Sequence, residues 1–593
     1  RVRAANYYRL NREESAAVAQ LDYVISQDPA HPSAVVTRAF MLSEQKKTAE
    51  AVALIRRAIA AAAKSGGKTG PPAVFYRMLA ALENATAPGT PDAPARALAA
   101  LDEGLAARPG EPDLVRDKYR LLTITRGPRD AVAFVEAEAG KAKDAARGQE
   151  KDKFKADAKA ALGRLLAEVY TEQQDFPRAE KTLRELVAAS PRDAGLAAGL
   201  VRVVAVQAGR AGDANDRARE RALNESVESM IKDFRAKFPG EIVFLQEECE
   251  LAFRRGDAAR ATAVTNEIDR MAKNSPVGPL LRARLYAAQD RTREVAASYA
   301  EALRRNPTQP EIRLLLGQTS LKLGEADEAI RQAKLVLESD RDRVDAVLLE
   351  ARALAQSPAR RAEAVELLSS ALKRQPKAAA VYHQLAETQL AQGQREAAVA
   401  TLRTGLENAP EDPVGLAQLV ELMAGPRAPG QPADPAGVAA AKDLAAKVGG
   451  GDKKGSLALA LAVGFHKAGQ LEPALAWAEK AAAKSDAPVV HLNYGDILLS
   501  MAEGKTGDEA KGLFRRAVEQ YDLVLKAQAN SVEAINNKAW VLHTYLGQSA
   551  QALELASGLL RRVDPSTLPG EFFDTLGAIQ QAMGKSREAE ESY

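Results

Sequence analysis

The sequence predicts an all-α protein, a solenoid of antiparallel helix pairs, and three observations carry that expectation. Composition favours helix over sheet: alanine and leucine are abundant, β-branched residues are sparse and aromatics make up only 5%. The 593 residues are too many for one core, yet a stacked array escapes that limit because each repeat packs only on its neighbours. Finally, the chain repeats itself.

The repeat is clearest where YHQLAETQLAQGQREAAVATLRTGLENAP, Tyr382 to Pro410, is set beside Gly163 to Pro191. Both give a helical stretch, a short turn, a second helical stretch and a proline. A small residue lies within the first helix (Ala386, Ala167), a turn residue follows (Gly393, Asp175), then an alanine (Ala398, Ala179) and a leucine (Leu402, Leu183). Gly317, Gly324, Ala329 and Ala333 fall on the same landmarks, as do Ala5, Ala17 and Leu21 near the start and Gly577, Gly584 and Ala589 near the end. Each landmark has a mechanical reason. Two helices approach closely only where side chains are small, and larger residues such as Tyr382 and Leu385 fill the space between crossings. The turn needs a residue that stops a helix at once. Proline cannot continue the second helix but is tolerated in the first turn of the next.

This pattern resembles the tetratricopeptide repeat, whose period is about 34 residues. The resemblance covers nearly the whole chain, in roughly 16 helix pairs at that period. It implies a right-handed superhelix whose first helices line a concave groove. The aromatic usual early in the first helix is present as Tyr382 and Phe573 but is Arg313 in the unit around Gly317.

The expected organisation is N-terminal helix pairs over 1–140, a charged helical insertion at 141–159 and a central array over 160–423. A Pro/Gly-rich loop at 424–437 and a C-terminal array over 438–593 follow, with the last repeat truncated. Further added length is expected at 206–222 and at 502–511, between helices, where an array tolerates it. The chain starts without methionine and stops in mid-pattern, so it reads as an excerpt or a processed product. A chain ending inside a hairpin is also expected to expose Leu576, Ile579 and Tyr593, a route to self-association through the truncated C-terminal repeat.

Several chemistries find no complete motif. KSGGKTGPP, Lys64 to Pro72, contains the second half of a phosphate-binding loop, but Ala62 stands where the first glycine is required and lies in a helical stretch. Both it and GGGDKKGS, 449–456, read as linkers between helices. The five histidines, His31, His383, His466, His491 and His543, form no i, i+4 pair, so no metal is expected and they read as packing or surface residues. The single cysteine, Cys249, excludes an intramolecular disulfide and reads as a buried spacer. No catalytic constellation and no cofactor site is expected.

Charge is nearly balanced, 82 Lys plus Arg against 79 Asp plus Glu, which gives no reason to expect nucleic acid as a partner. The mixed charges of 141–159 read as a solvated helix face with only Phe154 to stack on a base. No apolar run approaches the about 20 residues of a membrane span.

A protein or peptide partner is therefore expected, in the groove that the resemblance implies. Residues one turn apart on first helices and facing away from the second would line it: Arg164, Glu168, Arg284, Gln318, His383, Glu387 and Asn537. Of the set of Lys, Asn and Arg across consecutive repeats that the carboxylate-gripping version of the family uses, only Asn536, Asn537 and Lys538 stand together. Three roles stay open: a non-catalytic interaction scaffold, an envelope component of a polysaccharide-export or outer-membrane assembly system, or the regulatory arm of an enzyme. The alanine- and arginine-rich style resembles that of a high-GC bacterium, in cytoplasm or periplasm.

Overall fold

A computed structural model describes the chain except for residues 11–12, 66–69, 86–91, 148–152, 214–215, 429, 450–451, 453 and 564. The described residues form 32 α-helices, from Val2–Leu10 to Ser586–Ser592, with two short 3₁₀ turns and one isolated bridge, Pro426 to Ala433. In chain order they alternate as first and second members of 16 pairs, as the period predicts. The chain divides into two compact units, Arg1–Leu285 and Tyr286–Tyr593.

The landmark residues do what their size demands. Ala386, Ala398 and Leu402 are buried where the Ala379–Ala391 and Arg395–Asn408 helices cross, and Ala167, Ala179 and Leu183 are buried in the equivalent pair. Pro32, Pro112, Pro310, Pro413 and Pro488 each open a helix, where a missing N–H costs nothing. The turn differs in one detail. Gly393 adopts φ +75°, but in the other unit Gln174, not Asp175, takes the left-handed conformation, at φ +61°. Asp175 instead caps the Phe176–Ala189 helix, its carboxylate accepting the Arg178 N–H at 3.2 Å.

Added length goes into helices. The 141–159 stretch spans the end of Pro128–Arg147 and the start of Lys153–Glu172, each 20 residues long. Around 206–222 the helices Ala194–Asp213 and Arg217–Lys237 are similarly long, and at 502–511 only three residues separate Pro488–Glu503 from Gly507–Ala527. The 424–437 segment is a loop from Gly425 to Asp434.

The Lys64–Pro72 segment separates helices Thr48–Lys64 and Ala73–Ala85, and Ala62 is buried inside the first of them. Gly67, Lys68 and Thr69 lie outside the described residues. At 449–456, Asp452 is buried and accepts the Ala458 N–H at 2.8 Å, while Lys484 Nζ donates to its carbonyl at 2.5 Å. Asp452 thus satisfies an N–H in the first turn of the Ser456–Lys467 helix.

The expectation for the C-terminal repeat is corrected. Leu576 and Ile579 are buried, Leu576 against Ile535, Ala556 and Leu559 and Ile579 against Ala539, Leu542 and Ala552. The short Ser586–Ser592 helix completes the hairpin by burying Ala589. Of the three residues only Tyr593 is exposed, so the apolar basis for self-association is absent at Leu576 and Ile579.

Within each unit, successive first helices pack on one another more closely than successive second helices do. In the first unit this row runs through Pro32–Glu44, Ala73–Ala85, Pro112–Thr125 and Lys153–Glu172, and in the second from Pro310–Lys322 to Gly570–Ala582. The side with the closer approach is the inner side of each array.

Candidate functional site

Charged residues on the inner row are tied to the neighbouring repeat. Arg77 Nε donates to Asp117 at 2.6 Å, Arg116 reaches Glu168 at 3.2 Å, and Arg202 Nε donates to Glu247 at 2.8 Å. Each pair joins two successive first helices. A pair open to solvent, such as Arg116 with Glu168, stabilises by about 0–1 kcal/mol, so its larger effect is to fix where polar groups stand.

In the first unit the row opens between Lys153–Glu172 and Ala194–Asp213 into a depression of about 630 Å³. Ala167, Leu183, Leu196 and Val203 make an apolar floor, with Val206 exposed beside them. Arg164, Glu168, Glu172, Asp193 and Arg202 form a polar rim. These rim charges are held in place: Arg164 pairs with Asp193 within the rim at 2.6 Å, and from outside it the Tyr119 hydroxyl donates to Glu172 at 3.0 Å. Gly199 lies inside a 20-residue helix, where glycine is unfavourable by about 1 kcal/mol, and nothing compels it to be glycine. A Cβ there would meet only Leu183 Cδ2, at 3.6 Å, an ordinary contact. Its effect is to leave room.

A second depression, about 640 Å³, lies among the Arg217–Lys237, Ile242–Arg254 and Ala258–Met271 helices. Its central Arg235 is already shared between Glu248 at 2.5 Å and Glu267 at 2.6 Å.

The residues expected in the groove fall in both units. Arg164 and Glu168 stand together on the first depression. Arg284 is less free than the repeat register suggests, because it pairs with Glu250 and stacks 4.6 Å over the Phe253 ring. In the second unit Gln318 and Glu387 are exposed. His383 is only partly exposed, with Nε2 2.6 Å from Asp412 Oδ2, the carboxylate that caps the Pro413–Ala424 helix. Asn537 Nδ2 donates to Asp496 Oδ1 at 2.9 Å. Lys538 is buried and paired with Asp522, so it does not join Asn536 and Asn537 as a carboxylate-gripping set.

The remaining histidines make local contacts: His31 caps a helix, His466 meets Ser500, His491 meets Gln520 and His543 meets Ser549. Cys249 is fully buried, its Sγ 3.6 Å from Thr265 Oγ1, and burial pushes its thiol pKa up, away from nucleophile behaviour.

Sequence reading did not single out Asp496, whose Oδ1 accepts from the Tyr521 hydroxyl at 2.8 Å as well as from Asn537. The signal present was Gly495, a small residue at a helix crossing, followed directly by an acid on a first helix.

This is a helical-hairpin repeat architecture, and two stretches, residues 286–354 and 354–419, match the tetratricopeptide repeat family. No curated protein matches the chain in sequence. Among solved structures it is similar to Naa15/Naa10 bound to HypK-THB, at 14% identity over 99% of this chain and 96% of that one, with a TM-score of 0.33. It is also similar to yeast Tom70, at 13% identity over 94% and 96%, with a TM-score of 0.33. A third is YrrB, described as a TPR protein with an unusual peptide-binding site, at 16% identity over 31% and 95%, with a TM-score of 0.26. Likeness at this level speaks to neither partner nor role.

Proposed function

We propose that the chain is a non-catalytic protein-interaction scaffold that holds an extended peptide segment of a partner along its inner face. The observation that carries this reading is the depression at Gly199: an apolar floor, a rim of positioned charges, and space kept open by a helix-interior glycine. An apolar side chain fits the floor while rim groups meet the peptide backbone, and affinity accumulates from many shallow contacts. Arg164 and Glu168 flank that depression. Arg284, Gln318, His383, Glu387 and Asn537 are the other inner-face positions proposed to meet the partner.

The test is selection of a displayed random peptide library on the full chain, followed by measurement of the selected peptides on a Gly199→Met variant. The expected result is an apolar-anchored consensus whose affinity falls at least about tenfold, or 1.4 kcal/mol, when methionine fills the depression. Selected peptides that bind the folded variant as tightly as the original protein sink the reading at this site.

A further inference from the structure

We propose that Asp496 is a recognition subsite for a cationic side chain, the lysine or arginine of a partner segment lying along the inner face of the second unit. The proposal rests on the scaffold reading and gives that scaffold a chemical preference.

The subsite is assembled from three helices. Asp496 lies on Pro488–Glu503, Tyr521 on Gly507–Ala527 and Asn537 on Val532–Thr544. The Tyr521 hydroxyl donates to Asp496 Oδ1 at 2.8 Å, and Asn537 Nδ2 donates to the same oxygen at 2.9 Å. Tyr521 is fully buried, and it reaches Asp496 because Gly495 leaves the helix backbone bare where the ring crosses. The carboxylate is thus aimed by two donors on one oxygen. Its other oxygen, Oδ2, meets no donor among the described residues.

The inner row shows what is missing. Asp117, Glu168, Glu247 and Glu250 each pair with an arginine from an adjacent first helix, respectively Arg77, Arg116, Arg202 and Arg284. Asp496 has no lysine or arginine within ion-pair distance among the described residues. The charged and titratable neighbours that act on it do not compensate. Glu533, on Val532–Thr544, is a like charge. His466, on Ser456–Lys467, meets the Ser500 hydroxyl at 2.8 Å, and burial pushes its pKa below the usual imidazole range, so it stays neutral near pH 7. Lys538, one residue beyond Asn537, is committed to Asp522.

Asn537 is itself held from the other side, because Asn536 Nδ2 donates to Asn537 Oδ1 at 3.4 Å. A carboxylate oxygen without a donor and an acid without a cation make a place short of N–H groups and positive charge. An ammonium or guanidinium supplies both, and a hydrogen bond between ionised partners is stronger than a neutral one. Burial also pushes the Asp496 carboxyl up, as expected of an acid left without its counter-ion.

The test uses the full chain and an array of capped peptides of about twelve residues, a length that an inner face can hold. Each lysine or arginine peptide is paired with a copy carrying norleucine or citrulline. The wild-type chain is expected to prefer basic peptides over their neutral copies by at least about tenfold. Asp496→Asn, close in shape and still able to accept from Tyr521, is expected to lose that preference while melting no earlier than wild type. Asp496→Ala serves the same comparison if the amide does not fold. A preference that survives in the folded variant overturns the proposal. So does a wild-type chain that binds peptides without regard to the basic residue, which leaves the scaffold reading standing. A wild-type chain that binds no peptide of any composition overturns both.

Discussion

Tyr521 occupies the space that a side chain on Gly495 would need: a Cβ there would stand 2.5 Å from Tyr521 Cε1 and 2.9 Å from Cζ. The ring is fully buried, so it cannot swing into solvent to make way. Gly495→Ala must push the Gly507–Ala527 helix outward or distort the ring. The expected cost is about 1–3 kcal/mol, the usual range for overpacking, read as a lower denaturant midpoint. An unchanged midpoint would mean that the two helices separate freely at this crossing.

The hairpin turns predict a pair of opposite effects. Lys46 holds φ +60° and Gly393 holds φ +75°, equivalent positions in two repeats. A left-handed backbone is unfavourable for a residue with a Cβ by about 1–2 kcal/mol, partly offset by glycine's larger entropy in the unfolded chain. Lys46 is exposed, so Lys46→Gly is expected to raise stability by up to about 1 kcal/mol. Gly393→Ala is expected to lower it by a similar amount. Chemical denaturation of both variants checks the sign. Equal shifts in one direction would exclude backbone strain as the cause.

These turns and crossings were legible because they are local. Gly393, Ala386, Ala398 and Leu402 declare themselves by residue size and spacing within one hairpin, and the buried core follows. Even the exception at Gln174 and Asp175 is a one-residue shift, in which an acid better suited to capping leaves the left-handed position to its neighbour. The site was far less legible. Tyr521 and Asp496 are 25 residues apart, and Asn537 and Asp496 are 41 apart. No spacing rule joins them, because the contact depends on how three helices stack. Arg284 shows what register leaves out: the spacing puts it on a first helix but says nothing of Glu250 and Phe253, which engage it there. The opening at Gly199 depends on the separation of two first helices, which sequence does not encode at any single position.

Asp496 predicts a pH signature. Burial raises its pKa, against smaller opposing effects of the Tyr521 and Asn537 hydrogen bonds. A raised native pKa means that the folded chain holds the proton more tightly than the unfolded chain does. Its favourable contribution is therefore complete below the unfolded aspartate value of about 3.9 and is lost as pH rises through the raised native value. Asp496→Asn removes this dependence. The variant's stability relative to wild type is expected to increase from pH 4 towards pH 7. Melting curves across that range read the difference directly, and a flat difference would mean that Asp496 titrates as an exposed acid does.

Cys249 is expected to be inert in the folded protein. It is fully buried, near Thr265 and the Ala261 carbonyl, and burial keeps its thiol protonated near neutrality. A thiol-reactive chromophore should label it slowly until denaturant is added, and then fully, at one thiol per chain. Rapid labelling of the native chain would show that the Ile242–Arg254 and Ala258–Met271 helices part on the time scale of the reaction.

Gly199 and Gly495 are both glycines inside first helices, yet they predict opposite outcomes when changed to alanine. At Gly495 a Cβ has no space. At Gly199 it would make only an ordinary contact with Leu183, 3.6 Å away, while the helix would gain the roughly 0.5–1 kcal/mol by which alanine exceeds glycine. Gly199→Ala is therefore expected to raise the denaturant midpoint, and the added methyl group narrows the depression between Lys153–Glu172 and Ala194–Asp213. A gain in stability on adding the methyl group would show that packing does not require the glycine. If Gly199→Ala instead destabilises the chain, close packing holds the glycine in place, and the depression loses its claim to be space reserved for a partner.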